Sequence, residues 1–422
     1  MPPPSPVPVR PFAAQPFNVM AKPTGSICNL NCTYCYYLEK AKLHPDNYRH
    51  QMTPEIQERF IRDYIESQPT EVVQFVWQGG EPTLLGLKFF QRAVELQRKY
   101  ANGKTIENAL QTNGTLLNDE WAAFFAENKF LVGISLDGPR EIHDAYRVTR
   151  NNRPSFDAVM RGVECLTRNQ AEFNTLTVVG AHNMNQPREV YRFLKDIGSR
   201  FLQFIPLIER PGRPQDLPLK LAGPPHPGDG DTYDQVTEWS VRPSAYGQFL
   251  ITIFNDWVKR DVGRVYVQIF DVALNAWVGN EPPLCVFRRE CGSALVIEHN
   301  GDVYSCDHFV YPQYRLGNLM NTSLGAMAKA PDQYEFGRAK SATLPRQCRE
   351  CDVRFACNGE CPKHRFLSTS DGEPGLNYLC AAYKKFFHHI DPFMQVMAHL
   401  LERQRAPAEI MTLIRKGKMP QK

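Results

Sequence analysis

The chain has 422 residues, 42% hydrophobic and 22% charged, with a net charge of +4, an ordinary globular composition long enough for two or three domains. So small a positive surplus gives no basis for a nucleic-acid partner, and no apolar run approaches the roughly 18 residues needed to cross a membrane. Twelve cysteines without a recognisable export signal point to reduced thiols, to metal centres and to a cytoplasmic location rather than to disulfides.

Residues 1–16 form a proline-rich arm with no apolar signal-peptide core. From 17 to 208, apolar β-rich runs at 17–20, 72–77, 106–111, 131–136, 175–181 and 201–207 alternate with amphipathic stretches of helical period. One such stretch sets Ile56, Phe60 and Tyr64 on one face, behind Thr53 as N-cap and Pro54 at the first helical position. Another sets Phe156, Val159, Val163 and Leu166 behind Ser155, with Cys165 as a core residue on that face. Strands separated by helices predict parallel pairing through right-handed crossovers. Six units suit a partial (β/α)6 barrel, although periodicity does not separate it from a flat doubly wound sheet. Residues 209–240, dense in Pro and Gly at their start, read as a linker. A cysteine-rich domain is expected over 241–390, opened by a helix near 245–260. A helical tail over 391–422 ends the chain, with helix predicted from about 383 to 416 and a solvated basic end.

Cys28, Cys32 and Cys35 follow the first strand with the spacing C-x3-C-x2-C, at the carboxyl edge where such sheets carry their chemistry. Three thiolates leave a zinc site one ligand short, whereas on a four-iron cluster they leave one iron open. The plain alternative is a group of buried core thiols. Gly79-Gly80-Glu81-Pro82 follows the second strand, where glycines allow close approach and a carboxylate suits an ammonium group. Gln111 to Gly114 and Ser135 to Gly138 end the third and fourth strands, so their polar side chains reach the same rim. Both segments also make good turns.

In the last third the spacing is Cys285-x5-Cys291-x14-Cys306, then Cys348-x2-Cys351-x5-Cys357-x3-Cys361-x18-Cys380. Eight thiolates suffice for two four-coordinate centres, and the count fits two zinc sites as well as two clusters.

The first motif, with an aromatic residue before its third cysteine and GGEP one strand later, resembles the radical S-adenosylmethionine (SAM) signature. There the open iron chelates SAM, and GGEP contacts its amino group. The resemblance implies SAM contacts at Gly79, Gly80, Glu81, Asn113, Ser135 and, with Asp137 beside it, Arg147. The later spacing resembles the SPASM domain, which implies two auxiliary [4Fe–4S] clusters, three in all. Cys285, Cys291, Cys306 and Cys361 would hold the first, and Cys348, Cys351, Cys357 and Cys380 the second. The phrases CNLNCTYCYY, WQGGEPTL, SLDGP, YSCDHFVYP and FACNGECPKHRF resemble those of anaerobic sulfatase-maturating enzymes, over about residues 17–390. Such enzymes oxidise a cysteine or serine of a sulfatase to Cα-formylglycine. The resemblance implies Asp307 as the base and Tyr37 and Gln78 as pocket residues. It also implies an unfolded or nascent sulfatase as substrate and an electron donor such as flavodoxin or ferredoxin. Asp307 read alone is a turn-capping or arginine-paired carboxylate, and His308 reads as structural. The alternatives are a SPASM enzyme that crosslinks a ribosomal peptide through thioether or carbon–carbon bonds, disfavoured by the short 16-residue arm, and a zinc-ribbon interaction protein.

Overall fold

The computed structural model describes residues 16–43, 50–213, 216, 218–225 and 234–418. The proline-rich stretch 1–15 and parts of the 209–231 loop lie outside the described residues.

Six strands run parallel in chain order: β1 (Asn18–Lys22), β2 (Val72–Trp77), β3 (Thr105–Thr112), β4 (Phe130–Ser135), β5 (Phe173–Val179) and β6 (Phe201–Pro206). A doubly wound sheet reverses its strand order at a switch point. This order never reverses from β1 to β6, which identifies the unit as the partial barrel. The helix Pro54–Ser67 starts as its sequence requires, with the Thr53 hydroxyl accepting from Ile56 N at 3.3 Å. Its inner face drives Phe60 and Tyr64 onto Phe75 and Trp77, all buried. Each such side chain contributes about 1.5–3 kcal/mol of burial. Trp77 keeps its indole N–H satisfied by donating to Asn108 Oδ1 at 2.9 Å. The helix Phe156–Arg168 is not capped by Ser155. Asp144 Oδ1 accepts from Ser155 N and Phe156 N instead (2.8 and 2.9 Å), because the Ser155 hydroxyl is engaged with the Arg147 carbonyl.

The cysteine-rich third joins this sheet. β7 (Tyr266–Val267) extends it beyond β6, while β8 (Ala294–Glu298), β9 (Asp302–Tyr304) and β10 (Arg315–Asn318) extend it beyond β1. β8 lies parallel to β1 in a register that sets Lys22 against Glu298. One ten-stranded sheet therefore runs through segments that read as two domains. The described part of the 209–231 loop packs onto the turn after the first cysteine motif: Glu39 accepts from Lys220 N and Leu221 N at 2.6 and 3.1 Å. The helix Cys380–Glu402 passes residue 391 and Pro392 without a break and packs closely on Pro243–Arg260, where a Cβ on Gly247 would lie 3.1 Å from the Ala382 backbone. Among the described residues no helix is long and apolar enough to cross a membrane.

Candidate active site

β1 ends at Lys22, and the chain turns at once into the loop that carries Cys28, Cys32 and Cys35. The GGEP turn supports this loop from behind. Gly80 N donates to Gly25 O at 2.8 Å, and Glu81 N donates to Ile27 O at 2.9 Å. A Cβ on Gly80 would sit 2.0 Å from Ile27 O, so only glycine lets the two backbones meet.

Glu81 is held from within the fold. It is fully buried, with Oε1 accepting from Thr83 N, Thr83 Oγ1 and Thr112 Oγ1 (3.1, 2.6 and 2.7 Å) and Oε2 accepting from Asn113 N at 2.7 Å. Its carboxylate ties β2 to β3 rather than facing open space. Burial pushes its pKa up against these hydrogen bonds. Asn113 Nδ2 donates to Asn29 Oδ1 at 2.8 Å and reaches Cys28 Sγ at 3.6 Å, while Leu30 N donates to the same sulfur at 3.3 Å. Ser135 accepts from Gln111 Nε2 at 2.9 Å. Arg147 forms a buried pair with Asp137 (Nε to Oδ2, 3.0 Å), joined by the Tyr34 hydroxyl donating to Asp137 at 2.6 Å. Burial opposes the charge on Asp137, but Arg147 and His182 hold its carboxyl far below the carboxylate range. Arg147 is thereby committed to Asp137, under the cysteine motif.

The eight cysteines from Cys285 to Cys380 gather round two cavities. One of about 210 Å³ is lined by Cys285, Cys291, Cys306 and Cys361, with Val19, Met20, Asp307 and His308. A smaller one of about 40 Å³ is lined by Cys348, Cys351, Cys357 and Cys380. Cys361 thus crosses over to the earlier cysteines, an arrangement that spacing could not supply. Among the described residues no three ligating side chains converge on a single metal-ion position. Cysteines that each bind a different iron of one cluster have no need to converge. Burial raises the thiols, Cys348 to about 11 and Cys357 to about 12, and Cys28 and Cys32 likewise to about 11 and about 12. Uncompensated thiolates are costly here, and cluster irons are the counter-charge that such a donor set fits.

Asp307 stands between the two halves of the molecule, one residue beyond Cys306. Lys22 Nζ lies 2.5 Å from Oδ1, and the Tyr36 hydroxyl donates to Oδ2 at 2.7 Å. Lys22 is itself buried, donates to Gln78 Oε1, and lies 4.3 Å from the Tyr37 ring centroid. The Tyr37 hydroxyl donates to Glu298. Burial opposes ionisation of Asp307, yet the Lys22 ammonium, with hydrogen bonds from Lys22 and Tyr36, brings its pKa down to about 2. Burial and the facing carboxylates push Tyr36 and Tyr37 well above 10, so both remain donors. The Asp307 side chain keeps 21% of its surface open, enough for a substrate to reach it. Behind Tyr36, Lys363 lies 4.4 Å from the ring centroid and pairs with Glu209 at 2.5 Å.

Asp307, Tyr37 and Gln78 are therefore brought together, with Lys22 as their common neighbour. Sequence reasoning missed Lys22, Tyr36, Glu298 and Lys363. The available signal was Lys22 itself, a charged residue closing an apolar strand directly before the cysteine motif.

A cysteine trio at the carboxyl edge of a partial barrel, with eight more cysteines ringing two cavities, defines a radical SAM enzyme with an added iron–sulfur domain. The family models agree: the radical SAM superfamily matches residues 23–194 and the SPASM iron-sulfur cluster-binding domain matches 285–352. The chain is 49% identical over 409 residues to a serine-type anaerobic sulfatase-maturating enzyme of Bacteroides thetaiotaomicron, covering 97% of each. It is 34% identical to a cysteine-type anaerobic sulfatase-maturating enzyme of Clostridium perfringens, covering 89% of this chain and 97% of that one. A solved structure described as native anSMEcpe with bound AdoMet and Cp18Cys peptide superposes with a TM-score of 0.79 at 32% identity, covering 92% and 100%. The chain belongs to the anaerobic sulfatase-maturating enzymes, and works with SAM and iron–sulfur clusters.

Proposed function

We propose that this enzyme oxidises the target side chain of a sulfatase polypeptide to Cα-formylglycine without oxygen, with Asp307 as the base. The observation that carries the reading is the Asp307 carboxylate, ionised between Lys22 and Tyr36 at the wall of the cavity lined by Cys306. Three [4Fe–4S] clusters are proposed. Cys28, Cys32 and Cys35 hold one and leave an iron for SAM. Cys285, Cys291, Cys306 and Cys361 hold the first auxiliary cluster, and Cys348, Cys351, Cys357 and Cys380 the second. When bound, these groups supply a hydrogen-abstracting radical and a one-electron acceptor.

The protein's own part is to bind the peptide, orient its Cβ and take one proton. Asp307 accepts that proton, and its remaining lone pairs are fixed by Lys22 and Tyr36. Tyr37 and Gln78, pinned through Lys22 and Glu298, form the floor under the target side chain. Gly79 and Gly80 with Glu81, Asn113 and Ser135 shape the SAM side of the site, Glu81 and Asn113 by fixing backbone rather than by presenting charge. Arg147 stabilises the floor of the cysteine loop through Asp137.

The serine-type description of the relative at 49% identity favours a seryl target over a cysteinyl one. Clusters built on reduced thiols need a reducing compartment, which favours the cytoplasm and a ferredoxin- or flavodoxin-type donor. The test is anaerobic incubation with SAM, dithionite and two sulfatase-motif peptides, one with Ser and one with Cys at the target. Mass spectrometry should find the aldehyde, formed faster from the seryl peptide. A thioether or carbon–carbon crosslink in place of the aldehyde would overturn the reading.

A further inference from the structure

His308 is unused by the proton transfer, yet it touches a sulfur. Its Nδ1 lies 3.4 Å from Cys361 Sγ, in the wall of the larger cysteine-lined cavity. The ring is held in place from two sides, edge-on to Tyr36 at 5.9 Å and tilted on His364 at 6.0 Å. A cysteine bound to iron carries no proton, so across this contact only the imidazole can donate. The sulfur thereby selects the tautomer with hydrogen on Nδ1. Hydrogen bonds to ligand sulfurs are among the terms that set a cluster's reduction potential. The donor stabilises the more negative, reduced form and so raises the potential.

We propose that His308 raises the reduction potential of the first auxiliary cluster by donating its Nδ1–H to Cys361 Sγ, making that cluster the better acceptor of the substrate's electron. The balance explains the placement. After hydrogen abstraction from a seryl Cβ, the radical must lose one electron and its hydroxyl one proton, so that C–O becomes C=O and the aldehyde forms. Asp307 takes the proton, and the neighbouring side chain in sequence biases where the electron goes. Two consecutive residues thus serve the two halves of one oxidation.

The inference rests on the ligand set proposed above, and one experiment separates the two. Full-length enzyme is reconstituted anaerobically as wild type, His308→Phe and His308→Gln, its iron counted, and its clusters titrated by EPR-monitored reduction. Phe keeps the ring between Tyr36 and His364 but has no donor; Gln restores an N–H. About 12 irons in wild type supports the ligand set, and a lower count refutes that set irrespective of His308. With the set intact, His308→Phe should lower one midpoint only, by about tenfold in its reduction equilibrium (about 59 mV for one electron), and His308→Gln should recover part of the shift. Three unshifted midpoints in His308→Phe would overturn the proposal. So would loss of about 4 irons from that variant, since His308 would then hold the cluster rather than tune it.

Discussion

Replacing Asp307 by Asn separates the two halves of the reaction. The amide keeps size and one carbonyl oxygen but cannot accept a proton, and losing a positioned base costs about 10²–10⁴ in rate. Hydrogen abstraction needs no base, so cleavage of SAM to 5′-deoxyadenosine in the presence of peptide should persist. Stability is the competing explanation for any loss, and the structure bounds it. Lys22 is fully buried and 2.5 Å from Asp307, and stripping one partner from a buried pair costs about 3–5 kcal/mol. The lower end applies here. Asp307 is 21% open to solvent screening, the amide carbonyl still faces Lys22, and Gln78 still accepts from it. That leaves a protein of typical stability, about 5–15 kcal/mol, folded at assay temperature. The assay is anaerobic turnover of a peptide deuterated at the target Cβ, with iron, 5′-deoxyadenosine and formylglycine measured on the same sample. Deuterium should reach 5′-deoxyadenosine while formylglycine falls at least about 10²-fold. Near-normal formylglycine from Asp307→Asn would remove Asp307 from the mechanism.

Replacing Cys28, Cys32 and Cys35 together by Ala should leave about 8 irons of about 12 and abolish 5′-deoxyadenosine formation, read by iron assay and chromatography. Gly80→Ala forces a methyl to 2.0 Å from Ile27 O, so the cysteine loop must shift; the same two measurements should show SAM cleavage lost with the auxiliary irons kept. Asp137→Asn leaves Arg147 buried without its carboxylate, and urea denaturation of the holoenzyme should show a loss of about 3–5 kcal/mol. The Asp137 carboxyl is held far below its unfolded value, so its contribution is present above pH about 4 and lost only in strong acid; the Asp137→Asn and wild-type denaturation curves should therefore differ equally at pH 6 and pH 8.

The barrel half was legible because its pattern is local. Strands such as Val72–Trp77 and the Phe60–Tyr64 helical face carry their period within a single window, and the six predicted strands lie within two residues of those observed. What escaped is non-local. β8 and β9 are five and three residues long, too short for periodicity to distinguish them from loop, and β8 finds its partner at the opposite end of the chain. The cysteines drew attention in that region, while the pairing of Ala294 with Asn18 left no mark on either segment alone.

The same non-local pairing decides the active site. Lys22 by itself reads as a charged strand end bound for solvent, as most lysines are. It becomes a buried cation only because β8 lies against β1 and brings Glu298, and β9 delivers Asp307, to the same edge. GGEP likewise makes contacts that its spacing did not announce: Gly80 meets Ile27, and Glu81 is held by Thr83, Thr112 and Asn113. A buried carboxylate satisfied by four donors has no lone pair left for a proton, whereas a carboxylate with two donors and a fifth of its surface open keeps room to accept one. In the sequence Glu81 ends a strand-to-helix turn and Asp307 adjoins Cys306; in the structure the two carboxylates differ in the donors around them, four against two.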